Sequence, residues 1–211
     1  MRLCSHISAV EELARKDDLT LLFSAISSVC PSHNMIWRKT SSDILLTVSR
    51  HSLSQPVISY LHNKGCIALC VENMQKVYCD GPDPTPEATP LEMVEMFVSL
   101  FCFLKDSSTV SPTLLDDFRT CQGYIFLSEF LLRMEKDSDP ESSEAVRNLV
   151  LLVASLTFCG HAELPPPSTL ICSSLYQLPD FETPIPENRG STVRNIHAFQ
   201  VNYRGLISSL Y

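Results

Sequence analysis

The chain has 211 residues, 45% of them hydrophobic, with a mean hydropathy of +0.07 and a formal net charge of −8. That length and apolar content exclude wholesale disorder and allow a proper buried core, as one domain or as a stretch of a longer array. The charge is uneven: residues 1–77 carry eight Lys/Arg against six Asp/Glu (net +2), residues 78–163 five against fifteen (net −10), and the rest three against three. An acidic middle argues against nucleic acid, which needs a basic footprint, and a surplus of two charges in the first third is ordinary for a surface. Met1-Arg2 leads into mixed polar residues instead of an apolar leader, and the nine cysteines are an odd number. The expectation is a chain without a signal peptide, its thiols reduced in the cytosol.

Taken in order, residues 9–15 read as a short helix, and Asp17 or Asp18 can cap a second over 19–29, with Leu19, Leu22, Phe23 and Ile26 on one face. Pro31 stops it. A third helix spans 35–50, weakened in its middle by Thr40, Ser41 and Ser42. Ser54 caps the next, with Val57, Ile58 and Leu61 inward and Gly65 as its stop, and residues 66–77 form another. Residues 80–90, DGPDPTPEATP, hold four prolines and a glycine and read as a loop.

The following stretch, TPLEMVEMFVSLFCFLK at 89–105, is the expected centre of the fold. Thr89 and Glu92 have capping-box spacing and Pro90 takes the first helical position. Leu91, Val94, Val98, Phe101 and Leu104 recur at three- and four-residue steps, and Met93, Met96, Phe97, Leu100 and Phe103 make the other side nearly as apolar. A helix apolar almost all round is buried between neighbours. It is too short and too acidic in its first turn to cross a membrane, so no transmembrane segment is expected. The expected core therefore includes Leu91, Val94, Phe97, Val98, Phe101 and Leu104.

Beyond it, Ser111-Pro112 starts a helix over 113–121, which Gly123 is expected to end. Residues 124–135 follow, with Ile125, Leu127, Phe130, Leu131 and Met134 as its apolar positions. Asp139-Pro140 starts another helix, reaching Phe158 and closed by Gly160. Residues 164–190 carry six prolines and read as an extended segment, and Ser191 opens a short last helix over 192–199. Eight or nine short helices with short connections predict an all-α fold of stacked helical hairpins, an armadillo/HEAT-like α-solenoid segment with a proline-rich C-terminal part. The expected organisation is a helical domain over 1–160 with its loop at 80–90, a proline-rich segment over 161–190, and a terminal helix with a divergent tail over 191–211, loosely held. No exact internal repeat is visible.

Few residues suggest chemistry. His62, Cys66, Cys70 and Cys79 lack the paired knuckles of a zinc site, and their default role is packing. Cys159-Gly160-His161 sets a thiol beside a base, but around a helix stop and with no orienting acid. There is no phosphate loop, no G-x-S-x-G and no H-E-x-x-H, so neither catalytic residues, nor a metal, nor a cofactor is expected. Trp37, Arg38, Lys39 and Arg50, placed on neighbouring turns of the third helix, would form a basic patch with one aromatic, suited to a lipid headgroup or an acidic peptide. The ordinary alternative is a solvated face with Trp37 half-buried.

Four blocks carry a resemblance: EELARKDDLTLLFSAISS with WRKTSSDILLTVSRHSLS, LEMVEMFVSLFCFLKDSS, TLLDDFRTCQGYIFLSEFLLRME, and VRNIHAF. Together they resemble the N-terminal helical region of the WD-repeat and FYVE-domain-containing BEACH proteins, the Alfy group, over most of residues 3–199. The segment DGPDPTPEATP departs from the Alfy pattern and points to a paralogue within the group. The resemblance implies a non-catalytic, armadillo-like scaffold segment that binds protein partners. It also implies a cytoplasmic protein in vesicle trafficking, peripheral at endosomal or autophagic membranes through the full-length protein. It also suggests a fragment or short isoform, since the chain leaves the family's pattern after Phe199 as an alternative splice end would. A peripheral module binding anionic lipid through the basic first third is the second reading.

Overall fold

The computed structural model describes residues 6–28, 35–79, 88–134, 140–160 and 194–208. Among these residues the secondary structure is entirely helical: α1 (Ile7–Arg15), α2 (Asp18–Ile26), α3 (Met35–His51), α4 (Gln55–Asn63), α5 (Cys66–Cys79), α6 (Pro90–Ser107), α7 (Thr113–Thr120), α8 (Gly123–Met134), α9 (Pro140–Leu156) and α10 (Ile196–Ser208). None is long and apolar enough to cross a membrane.

A repeat that the sequence hides governs their arrangement. α1–α3, α4–α6 and α7–α9 are three units of the same build, each made of two shorter helices and a third of 17, 18 and 17 residues. In every unit the first two helices are joined through one residue in the left-handed conformation: Asp17 at φ 62°, Gly65 at φ 64° and Gln122 at φ 62°. That conformation reverses the chain in two residues, which glycine does without strain and other residues at a small cost. Equivalent helices then stack on one another, α1 on α4 on α7, α2 on α5, and α3 on α6 on α9. Each helix buries a stripe against the next unit, so the architecture is an all-α, solenoid-like array.

Polar bonds fix the offset between units. The Cys70 thiol donates to the Phe23 carbonyl at 3.4 Å and Asn73 Nδ2 to Ser27 Oγ at 3.2 Å, joining α5 to α2. Ser42 donates to Ser99 at 2.9 Å and Ser49 to the Asp106 carboxylate at 3.0 Å, joining α3 to α6. A hydrophobic interface alone would allow sliding, and such bonds select one position because a misplaced partner leaves a polar group unpaired.

α6 is the centre. Its capping box is complete: Thr89 Oγ1 accepts from the Glu92 amide at 3.2 Å while Glu92 Oε2 accepts from the Thr89 amide at 3.0 Å. Val94, Phe97, Phe101 and Leu104 are buried, as are Met93, Met96, Leu100 and Phe103, whereas Leu91 and Val98 are half-buried. Aromatic contacts run outward from it. Phe103 meets Phe23 of α2 edge-on at 5.0 Å, Phe97 lies 5.5 and 5.3 Å from Phe126 and Phe130 of α8, and Phe101 stands edge-on to Phe118 of α7 at 5.2 Å. Such ring pairs add about 0.5–1.5 kcal/mol each beyond their buried area.

Several local expectations change. Asp17 and Ser54 sit at helix starts, but neither caps with its side chain. The Asp17 carboxylate accepts from the Tyr60 hydroxyl at 2.7 Å and from Lys64, and Ser54 donates to Glu11 at 3.3 Å. These side chains tie α1 to α4 instead. Gly123 does not end α7. Gln122 makes that turn and Gly123 opens α8, because the Phe118 ring lies where a side chain at 123 would go. Ile125 points outward, 58% exposed. α3 runs unbroken through Thr40–Ser42, whose hydroxyl at 42 is taken up by Ser99. Residues 80–87 of the proline-rich loop and all of 161–190 lie outside the described residues.

The last helix is longer and better docked than the sequence suggests. α10 begins at Ile196, continues through Gly205, and packs on α8 and α9. The amides of Arg194 and Asn195 both donate to the Thr157 carbonyl, at 2.8 and 3.0 Å, closing the end of α9. Asn195 Oδ1 accepts from the Ala198 amide at 3.1 Å, a side-chain N-cap, while its Nδ2 donates to the Tyr124 hydroxyl at 2.6 Å. Ala198 is 0% and Val201 5% exposed, so the start of α10 contributes to the core.

Candidate functional site

The four residues of the expected basic patch are not brought together. Arg38 is only 5% exposed; its Nη2 donates to Glu95 at 3.0 Å and reaches Glu92 at 3.5 Å, tying α3 to the first turns of α6. Arg50 lies about 18 Å further along α3, at about 1.5 Å per residue, and pairs with Asp106 at 3.2 Å. Lys39 remains exposed, and so does Trp37 at 58%, beside Ile36 at 79%. Arg38 and Arg50 thus stitch units together, and what reaches solvent at the start of α3 is an apolar pair with one lysine.

Cys66 and Cys70 are buried structural groups, while Cys102, Cys121 and Cys159 are partly buried. Burial pushes the Cys70 thiol up to about 12 and raises Cys66 as well, and both are fully enclosed. His62 turns to α7, where its Nδ1 lies 2.8 Å from Asp117 Oδ1. Cys159 donates to the Ser155 carbonyl, and His161 lies outside the described residues. Among the described residues no group of three or more His, Cys, Asp or Glu stands close enough to hold a metal ion.

A cleft of about 290 Å³ opens between α7 and the entry to α10. Pro112, Leu115, Asp116 and Arg119 line one side, Arg194, Ile196 and His197 the other, with Tyr124 and Cys159 between them. The repeat explains it. First helices of successive units close on each other at the two earlier junctions, through Lys64 and Tyr60 on Asp17, and through His62 on Asp117. At the third junction α10 packs on α8 and α9, and no described helix fills the space beside α7. Asn195 is buried and holds Tyr124, while the His197 ring stacks on Tyr124 at 5.8 Å. Arg119 meets Asp116 only through an exposed pair at 3.5 Å, and Arg194 makes no ion pair among the described residues. Burial first, and then the Arg119 charge, hold the His197 imidazole below its ordinary pKa, against the opposing pull of Asp116.

Among the described residues, three stacked three-helix units and a docked tenth helix define a solenoid-like all-α protein with a cleft beside α7. The chain is 30% identical over 202 residues to WD repeat- and FYVE domain-containing protein 4 of Mus musculus, and 29% identical over 202 residues to the protein of that name in Homo sapiens. Each alignment covers 95% of this chain and 6% of the relative, so the chain is homologous to a short stretch of a WD repeat- and FYVE domain-containing protein. No family model matches the sequence, and no solved structure matches it.

Proposed function

We propose that the chain is a non-catalytic, protein-binding helical segment of the BEACH-type scaffolds to which the WD repeat- and FYVE domain-containing proteins are assigned. In this reading it acts in the cytoplasm, in vesicle trafficking at endosomal or autophagic membranes. The observation that carries the reading is the alignment of 202 residues with the mouse protein, whose name combines a WD repeat with a FYVE domain. Described side chains agree with it: Arg38, Ser49 and Cys70 are spent on joining units, and Cys66 and Cys70 are enclosed. Solenoid arrays use their extended surfaces for partners.

Proximity labelling in cells tests the proposal, with the chain fused to a labelling enzyme at low expression. The expected result is enrichment of membrane-trafficking proteins over a cytosolic control fusion. A labelled set indistinguishable from that control removes the trafficking role. The second reading, a module for anionic lipid, rests on the exposed Trp37 and Ile36 beside Lys39. It is the weaker one, because Arg38 and Arg50 already face carboxylates.

A further inference from the structure

We propose that the cleft between α7 and α10 is a docking site for an acidic peptide of a protein partner, its oxyanion held by Arg119, Arg194 and His197 and a neighbouring apolar side chain by Pro112, Leu115 and Ile196. The proposal deepens the protein-binding reading and rests on it.

The internal repeat supplies the first argument. At the two earlier junctions the charged side chains between successive first helices meet partners within the chain, Lys64 on Asp17 at 2.8 Å and His62 on Asp117 at 2.8 Å. At the third junction the cations outnumber the acids among the described residues. Arg119 approaches from α7 and Arg194 from the segment leading into α10, with Asp116 alone opposing them among the described residues, and Arg119 has most of its guanidinium donors free of that 3.5 Å pair. Guanidinium groups bind carboxylate and phosphoryl oxygens in a fixed fork, and two of them from separate elements recognise one oxyanion better than a mobile lysine does.

Size and surroundings narrow the ligand. About 290 Å³ accepts one or two side chains and is at the small end of the range of about 300–1,000 Å³ usual for small-molecule pockets. The apolar lining beside the charges suits an acidic residue next to a hydrophobic one. Segment 78–163, which supplies α7, carries five Lys/Arg against fifteen Asp/Glu, so an extended polyanion is repelled while a single oxyanion on a peptide is admitted. Tyr124 and the buried Asn195 hold the wall rigid, so little ordering cost falls on the protein when a peptide binds.

The test uses the full chain, immobilised, and a displayed library of random peptides. Enriched sequences are expected to carry Asp or Glu beside an apolar residue, and to bind wild type at least tenfold tighter than the Arg119→Gln/Arg194→Gln double variant. Both arginines are exposed, so that variant keeps its fold, which circular dichroism verifies. Arg147→Gln, on the exposed face of α9, is expected to bind like wild type. Synthetic versions of an enriched peptide with Glu, phosphoserine or Gln at the acidic position separate the two oxyanions from a neutral side chain. No enrichment of acids, equal binding by the double variant, or binding of inorganic phosphate without any peptide overturns the proposal. Should the trafficking neighbours labelled in cells persist with the double variant, the cleft is wrong and the broader function stands.

Discussion

Phe101→Ala is the perturbation that bears most on the fold. Phe101 is 0% exposed, stacked on Phe97 at 5.7 Å and edge-on to Phe118 at 5.2 Å, and Phe118 in turn meets Tyr124 at 4.8 Å. Removing the ring empties the point where α6 meets α7, and the flanking rings belong to different helices, so collapse into the space is limited. A buried Phe→Ala change costs about 3–5 kcal/mol, and the lost ring contacts place this site toward the upper end. Against a typical total of about 5–15 kcal/mol, that is a large share. At about 2–4 °C per kcal/mol for a chain of this size, Tm falls by about 6–20 °C. The assay is thermal unfolding by circular dichroism at 222 nm, with Phe158→Ala, 53% exposed, as the comparison. A Phe101→Ala melt that coincides with the Phe158→Ala melt refutes the placement of α6 at the centre.

Other outcomes follow from the same contacts. Gly123→Ala drives a methyl group into the buried Phe118 ring, and a chemical melt should show a loss of about 1–3 kcal/mol from overpacking. Cys66 and Cys70 should resist iodoacetamide in the native chain and react on unfolding, as mass spectrometry of alkylated peptides would reveal; rapid native labelling of Cys70 would contradict its enclosure. His197 is held neutral by burial, so the unfolded chain takes up its proton first. Its contribution to stability is present above the ordinary value of 6.5 and is lost as pH falls through the window below it. Urea melts from pH 7.5 to 5 should therefore show a smaller acid-side loss for His197→Gln than for wild type.

How far the sequence led depends on whether a feature is local. The capping box at Thr89 and Glu92 and the buried ring of α6 residues were legible, because a helix start and its apolar positions lie within a few turns. Gly65 was legible as a stop for the same reason. Gly123 looks like a helix stop in the sequence, while its role is set by a tertiary contact, the Phe118 ring. Arg38 looked like a solvated cation because Glu92 and Glu95, which bury and pair it, lie more than fifty residues away. The repeat is not legible in the sequence because its units share geometry more than residues: the left-handed turn is Asp17 in one, Gly65 in the next and Gln122 in the third. The cleft was not visible at all, since Arg119 and Arg194 become neighbours only when α10 docks. The buried Asn195 between Val193-Arg194 and the apolar Ile196 was its one local signal, as an N-cap.

Vesicle flotation tests the central claim, that this chain meets proteins and not a lipid surface. Of the expected basic patch, Lys39 alone has no acidic partner among the described residues, and one surface cation near an anionic membrane contributes only about 1 kcal/mol. With phosphatidylserine vesicles, the account predicts that the chain stays in the dense fraction at both about 0.01 M and about 0.15 M salt, where the Debye length falls from about 30 to about 8 Å. Flotation at low salt that is lost at high salt, and abolished by Trp37→Asp, would contradict the account and move the function to the start of α3.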